Sequence, residues 1–267
     1  MAKVKLIGAP FNIGSRSETS FAIDQHRAPA AIRRAYSEQM SGFNIAQNFD
    51  DLGDIACPND FSQALTEIEG RIKELLLAGS VPLMLGGSHT VTLGSLRATK
   101  AARSDYSCVY LDAHPDIMPH PDINYGSSMY YALQEGLVQP NRLAFVGLRQ
   151  VENQEEELMN SRSIMNFRPV EIERQGILKI AEQITEKLAP PFYISIDLDA
   201  LDPAFAPGVT TPFPGGLTLR EVLVLCQSLC AKGVIGADLV ELCPANDRSE
   251  QTALLAAALL SSLASAI

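Results

Sequence analysis

The chain lacks the features that mark disulfide-rich, membrane-spanning or nucleic-acid-binding proteins. It has no CxxC pair: Cys57, Cys108, Cys226, Cys230 and Cys243 are odd in number and scattered. That pattern argues against a disulfide framework and indicates a reduced, cytoplasmic protein. No apolar run reaches the ~20 residues of a membrane span. The longest, ALLAAALLSSLASAI, is rich in Ala and Ser and reads as a buried helix. The N-terminal run MAKVKLIGAP is short and broken by Gly8 and Pro10, so no signal peptide is expected. Positive charge is in deficit, with 21 Lys+Arg against 31 Asp+Glu and a net charge of −10. Nucleic acid and anionic membrane are therefore excluded as expected partners, and a small cationic substrate is favoured. No Lys follows Gly86 and Gly87, which argues against a phosphate-cradling loop. Internal repeats, low-complexity linkers and composition shifts are also lacking, so residues 1–267 read as one domain.

What is present is an alternation of strand-like and helix-like segments. KVKLIGA, VPLML, SCVYL, RLAFVGL, PFYISI and GVIGADLVEL read as strands. PAAIRRAYSEQ, FSQALTEIEGRIKELLLAG, EIERQGILKIAEQITEKL, LTLREVLVLCQSLCAKG and SEQTALLAAALLSSLAS read as helices. Such alternation builds right-handed βαβ units, so the expected fold is a three-layer α/β/α domain whose mostly parallel sheet is flanked by helices.

Three of the strand-like runs end in metal-type ligands. His89 follows the first in GGSHT; Asp112, His114 and Asp116 follow the second in DAHPD; Asp197 and Asp199 follow the third in SIDLDALDP. Open α/β sheets bind ligands outside the carboxyl ends of their strands, so the three loops should meet. On an extended backbone Asp112, His114 and Asp116 alternate and point to one side, as do Asp197 and Asp199. Four carboxylates and two imidazoles in one cleft would repel and take up protons unless cations intervened. Imidazole with carboxylate suits Mn²⁺, Fe²⁺ or Zn²⁺, and six side chains suit a pair of ions. Each motif alone has a plainer reading: DAHPD as a polar turn, DxD as ordinary strand-end aspartates, His89 as a structural histidine. Together they make accident improbable. Asp202, before Pro203, reads as a turn residue, and Cys226 and Cys230 as packing residues. Glu241 ends a further strand at the same edge, either a surface carboxylate or an anion aimed at a cationic group.

These residues resemble the ureohydrolase family, whose branches include arginase, agmatinase, guanidinobutyrase and formimidoylglutamase. The family's GGDHS, DAHxD and SxDxD…LDPxxxPGTGTPxxGGLT stand here as GGSHT, DAHPD and SIDLDALDPAFAPGVTTPFPGGLT, in order over most of the chain. The resemblance implies the arginase-like fold and two Mn²⁺ per subunit. One ion would be held by His89, Asp112, Asp116 and Asp197, the other by Asp112, His114, Asp197 and Asp199, with Asp112 and Asp197 bridging. It implies hydrolysis of a linear C–N bond of a guanidino compound to urea and an amine. By the same resemblance Asp116 relays a proton, Glu241 holds the guanidinium, and Thr211 lies close to the substrate. Homo-oligomers, trimers or hexamers, are also implied.

The chain departs from the family's pattern in three places. Ser88 replaces the Asp beside the metal-binding His. Tyr125 stands where the family has a proton-shuttling His, and a phenol shuttles less well near neutral pH than an imidazole. His120 is the other imidazole nearby and a candidate for the same task. Met118 stands where an arginase has a carboxylate-reading Asn, while Glu152 falls near the position of an acid that reads an α-amino group. The expected substrate is therefore a guanidino cation without an α-carboxylate, agmatine fitting better than arginine. Two alternatives stay open. One is a formimidoylglutamase-like amidine hydrolase releasing formamide, which Ser88 favours. The other is a catalytically silent metal-binding protein, which Tyr125 motivates.

Overall fold

The computed structural model describes residues 4–12, 23–40, 48–56 and 60–267. Cys57 and Lys3, the first residue of the expected strand KVKLIGA, lie outside them. The apolar runs are strands: β1 (Val4–Ala9), β3 (Val81–Gly86), β4 (Ser107–Leu111), β5 (Leu143–Val146), β7 (Phe192–Asp197) and β8 (Val234–Val240). Two strands that no apolar run announces, β2 (Asp50–Asp54) and β6 (Met165–Phe167), complete the sheet. The order is β2-β1-β3-β8-β7-β4-β5-β6, and every pairing is parallel.

Full coverage explains why the central strands read as unbroken apolar runs. All residues of β3, β4 and β7 are buried, because helices cover both faces. On one face lie α1 (Ala28–Met40), α6 (Pro169–Gln175), α7 (Ile177–Lys187), α8 (Leu219–Cys230) and α9 (Gln251–Ala266). On the other lie α2 (Phe61–Leu77), α3 (Val91–Ala102), α4 (Ser128–Gln134) and α5 (Asn153–Ser161). Cys226 and Cys230 pack in the first of these layers. Among the described residues no helix is long and apolar enough to cross a membrane.

The segment EIERQGILKIAEQITEKL, expected as a single helix, is split between α6 and α7. Gly176 adopts φ 83, a left-handed conformation that ends α6 on its N–H to Ile172 and starts α7 in a new direction.

The chain enters the sheet centre twice from different sides. β3 and β4 are laid down first; β7 and β8 then fill the gap between them. Four adjacent strands, β3, β8, β7 and β4, thus present their carboxyl ends side by side. Register tightens this: Leu111 pairs Ile196, and Asp197 pairs Val240, so Asp112, Asp197 and Glu241 begin at nearly one level.

The turn after β3 is held by Gly87. A Cβ there would lie 1.9 Å from the carbonyl oxygen of Phe11 and 2.8 Å from its carbon, a backbone contact that no side-chain motion relieves. Gly87→Ala should therefore lower the melting temperature by about 5 °C or more, from an overpacking cost of roughly 1–3 kcal/mol. Calorimetric melting of the variant at wild-type temperature would contradict this close approach.

Candidate metal centre

Both aspartate pairs turn in the same way. The N–H of His114 donates to Asp112 Oδ1 at 2.6 Å, and the N–H of Asp199 donates to Asp197 Oδ1 at 2.6 Å. Each is an aspartate bonding the backbone two residues on, which bends the chain as it leaves the strand. The expectation of an extended, alternating backbone is corrected here: β4 ends at Leu111, Asp199 lies in a 3-10 turn, and Asp116 has φ 51. The side chains converge because the backbone curls around the cleft.

His89 Nδ1 lies 2.9 Å from Asp112 Oδ2, 3.2 Å from Asp197 Oδ2 and 3.6 Å from Asp116 Oδ2. His114 Nδ1 lies 3.3 Å from Asp112 Oδ1 and 3.1 Å from Asp199 Oδ2. Asp112 therefore faces one imidazole with each oxygen. Donor atoms of His89, Asp112 and Asp116 all fall within 4.8 Å of one another, as do those of Asp112, His114 and Asp199. Asp112 Oδ2 is buried with no donor besides His89 Nδ1, which must be unprotonated to act as a ligand, so a cation between them would satisfy both atoms. The donor set therefore fits two divalent cations sharing Asp112.

The charges report the same crowding. Burial, reinforced by the neighbouring aspartates, pushes the Asp197 carboxyl well above the ordinary carboxylate range. Asp116 is raised by burial and by the charge of Asp112. Asp199 moves the other way: burial lifts it, but the facing His114 imidazole, the Ala113 N–H and Arg149 together outweigh burial and hold it below the usual range. Burial alone would lower His89 and His114, yet the carboxylates around them raise both. Cations would relieve this conflict without protons.

A model of the arginase family matches residues 2–265. The chain belongs to that family. It is 35% identical over 266 residues to the guanidinobutyrase of Pseudomonas aeruginosa, covering 95% of this chain and 83% of the relative. It is 32% identical to the agmatinase of Citrobacter koseri, covering 95% of this chain and 84% of that one. Among solved structures it is similar to the proclavaminate amidino hydrolase of Streptomyces clavuligerus, with TM-score 0.87 and 31% identity over 99% of this chain and 91% of that chain.

As an arginase-family site, the cleft has supports that the sequence motifs do not reveal. Ser195 donates to Asp238 Oδ1 at 2.6 Å, so its oxygen is left to accept from His89 Nε2, 2.8 Å away. Asp238 is itself held by Tyr193 at 2.6 Å and Thr92 at 3.0 Å. This chain puts the His89 proton on Nε2 and leaves Nδ1 free toward the carboxylates. Gln150 Oε1, 2.8 Å from His114 Nε2, does the same for the second imidazole. Tyr110 stacks on His89 with centroids 4.3 Å apart and donates to Asp116 Oδ2 at 2.7 Å. Arg149 ties the loop after β7 in place by donating to the carbonyls of Asp199 at 2.6 Å and Phe213 at 2.8 Å. Ser195 stands two residues before Asp197 on the same strand face, the one signal by which sequence could have suggested it. Asp238 and Gln150 had none.

The cavity above the ligands measures about 30 Å³ and is also lined by Gln25, Tyr125, Thr210, Thr211 and Glu241. Glu241, at φ 67, accepts from the His89 N–H at 2.7 Å and from Gln25 Nε2 at 3.0 Å. Burial raises its carboxyl, and those two donors partly offset the rise. Thr211 donates to Asp199 Oδ2 at 3.0 Å. Asp202 is a turn residue, accepting from the N–H groups of Ala204, Gly215 and Gly216. Ser88 is buried against Thr90, 2.8 Å away, outside the lining. His120 is exposed, with Nδ1 engaged by the Asp122 backbone, and it does not line the cavity. Glu152 is exposed at the start of α5, likewise outside the lining.

Ser195→Ala leaves His89 Nε2 without its acceptor and frees the imidazole to take the wrong tautomer. Metal affinity measured by chelator competition should fall on the order of 10-fold or more. Wild-type affinity would show that Ser195 does not orient the histidine.

Proposed function

We propose that this chain is a binuclear manganese amidinohydrolase that cleaves a linear C–N bond of a guanidino compound, agmatinase-like or arginase-like. The observation that carries the reading is Asp112, whose two oxygens face two separate imidazoles, with Glu241 anchored beside them. His89, Asp112, Asp116 and Asp197 would hold one ion, and Asp112, His114, Asp197 and Asp199 the other. When bound, such a pair lowers the pKa of a water enough to make hydroxide available near neutral pH.

The chain's own residues supply the rest. Glu241, fixed by the His89 N–H, offers its carboxylate to the planar cation and orients the guanidinium carbon over the ligand cluster. Thr211, tied to Asp199, lines the same cavity. Water adds to that carbon; collapse of the tetrahedral species breaks the C–N bond to the side chain and leaves urea. The departing nitrogen gains a proton and leaves as an amine. Asp116, between the Tyr110 hydroxyl and the cleft, relays the proton within the cluster. Tyr125, which lines the cavity, is assigned the proton delivered to the leaving amine in preference to exposed His120.

Neither Met118 nor Glu152 lines the cavity, which supports a substrate without an α-amino acid group, such as agmatine or a guanidino acid. The relatives named guanidinobutyrase and agmatinase support the same class. The formimidoylglutamase-like alternative is not favoured, because the relatives by sequence are named guanidinobutyrase, agmatinase and proclavaminate amidinohydrolase. Assembly as a trimer or hexamer and a cytoplasmic location rest on the family resemblance and the cysteine pattern.

Mn²⁺-loaded protein should release urea from one member of a panel of arginine, agmatine, guanidinobutyrate, guanidinopropionate and guanidine, and metal-stripped protein should not. Formamide from formimidoylglutamate with no urea from any of them would transfer the assignment to the alternative. Asp112→Ala removes an oxygen from each half of the site, so activity should vanish together with at least one bound ion. A fully metallated, active variant would sink the proposal.

A further inference from the structure

Gln25 is 1% exposed, an unusual place for a long amide. It opens a 3-10 turn, Gln25–Arg27, just before α1. The preceding Asp24 fixes that turn to the loop after β8 by accepting from the Ala245 N–H at 3.0 Å and from Cys243 Sγ at 3.1 Å. The same loop carries Glu241, so Gln25 and Glu241 are set side by side by the backbone.

The amide's orientation follows from its partners. A carboxylate only accepts, so the nitrogen must face Glu241. Nε2 donates to Glu241 Oε2 at 3.0 Å and to Thr210 Oγ1 at 2.6 Å, which uses both of its hydrogens. Oε1 is left buried with no donor. A buried acceptor without a partner costs stability, and few native groups stay so unless something arrives to satisfy them. Gln25 lines the cavity that receives the substrate. The wall beside Glu241 thus holds a charged acceptor and, in Gln25, a neutral one without a donor.

We propose that Gln25 is a specificity-determining residue whose Oε1 accepts an N–H of the guanidinium held by Glu241, selecting a guanidinium over a formamidinium group. A guanidinium carries nitrogen at all three corners and presents N–H to both acceptors. A formamidinium carries C–H at one corner, which leaves an acceptor unmatched. Sites built to bond a substrate N–H reject analogues that lack it. The inference deepens the guanidino reading above and rests on it.

The test is calorimetric titration of Mn²⁺-loaded protein with n-butylguanidinium and with N-butylformamidinium, whose tether keeps the alkyl corner at the cavity mouth. Wild type should prefer the guanidinium by roughly 10- to 100-fold, the range of one hydrogen bond to a charged group. Gln25→Met, which removes the acceptor at similar size, should bring the preference close to one. Gln25→Glu, which keeps an acceptor there, should restore it. If the Met variant melts below the assay temperature, Gln25→Leu takes its place.

The inference is overturned if wild type shows no preference or if the Met variant keeps the full preference. It is equally overturned if both cations weaken by the same factor, because Gln25 would then act only by propping Glu241. Urea release by wild type is scored separately. Collapse of the preference in a chain that releases no urea would uphold Gln25 as a selector while removing the reaction; urea release with an unchanged preference would do the reverse.

Discussion

Four buried carboxylates around two imidazoles form an arrangement that water cannot neutralise, and much of the structure answers to that constraint. Bringing like charges together out of water raises their proton affinity, as it does at Asp197 and Asp116. Against the four acids stand two imidazoles and the nearby Arg149 guanidinium, and Asp112 Oδ2 stays buried with no donor besides His89 Nδ1. The cluster is thus stable in one of two ways, partly protonated or loaded with cations. The second layer favours the latter. Ser195 and Gln150 each engage an imidazole Nε2, which turns both Nδ1 atoms toward the carboxylates as acceptors.

The scaffold makes such a concentration of charge affordable. Ligands leave three parallel strands, β3, β7 and β4, with Glu241 leaving β8 between β3 and β7, so no side chain has to reach far, and the loops after β4 and β7 bend within two residues through an aspartate-to-backbone bond. Left-handed backbone at Asp116 and Glu241 marks where the loops depart from easy geometry. Conformations of that kind cost about 1–3 kcal/mol and persist where surrounding structure fixes them. Here it does: Glu241 N–H bonds Gly87 O at 2.9 Å, and the Asp116 carboxylate is gripped by Tyr110. The metal-facing and substrate-facing halves of the cleft are therefore one construction, joined at His89, whose side chain serves the ligand cluster and whose N–H orients Glu241.

The ligand set was legible because each cluster follows a fully buried parallel strand, whose apolar run marks its end in the sequence. The sheet's edges were not. β2 reads DDLGD and is mostly exposed, so it carries no apolar signature, and β6 spans only three residues. The split at Gly176 was missed because helical periodicity continues on both sides of it. Extended alternation gave the right convergence for DAHPD by the wrong backbone, since side-chain-to-backbone bonds cannot be read from spacing. Gln25, Asp238 and Gln150 act across the fold and stand outside the ligand motifs, and Ser195, though it opens SIDLDALDP, acts on a histidine from a different strand. Proximity in sequence also drew attention to His120 and Glu152, which the loops carry outward to solvent.

The most direct test of the account is the metal content of the chain itself. After Mn²⁺ loading and removal of excess ion, elemental analysis against protein concentration should give two ions per chain, and Asp199→Ala should give one. Two ions in wild type would show that the crowded carboxylates exist to share cations. A content near zero, with the cluster remaining protonated, would contradict that claim and leave the convergence of six ligand-type side chains without its cause.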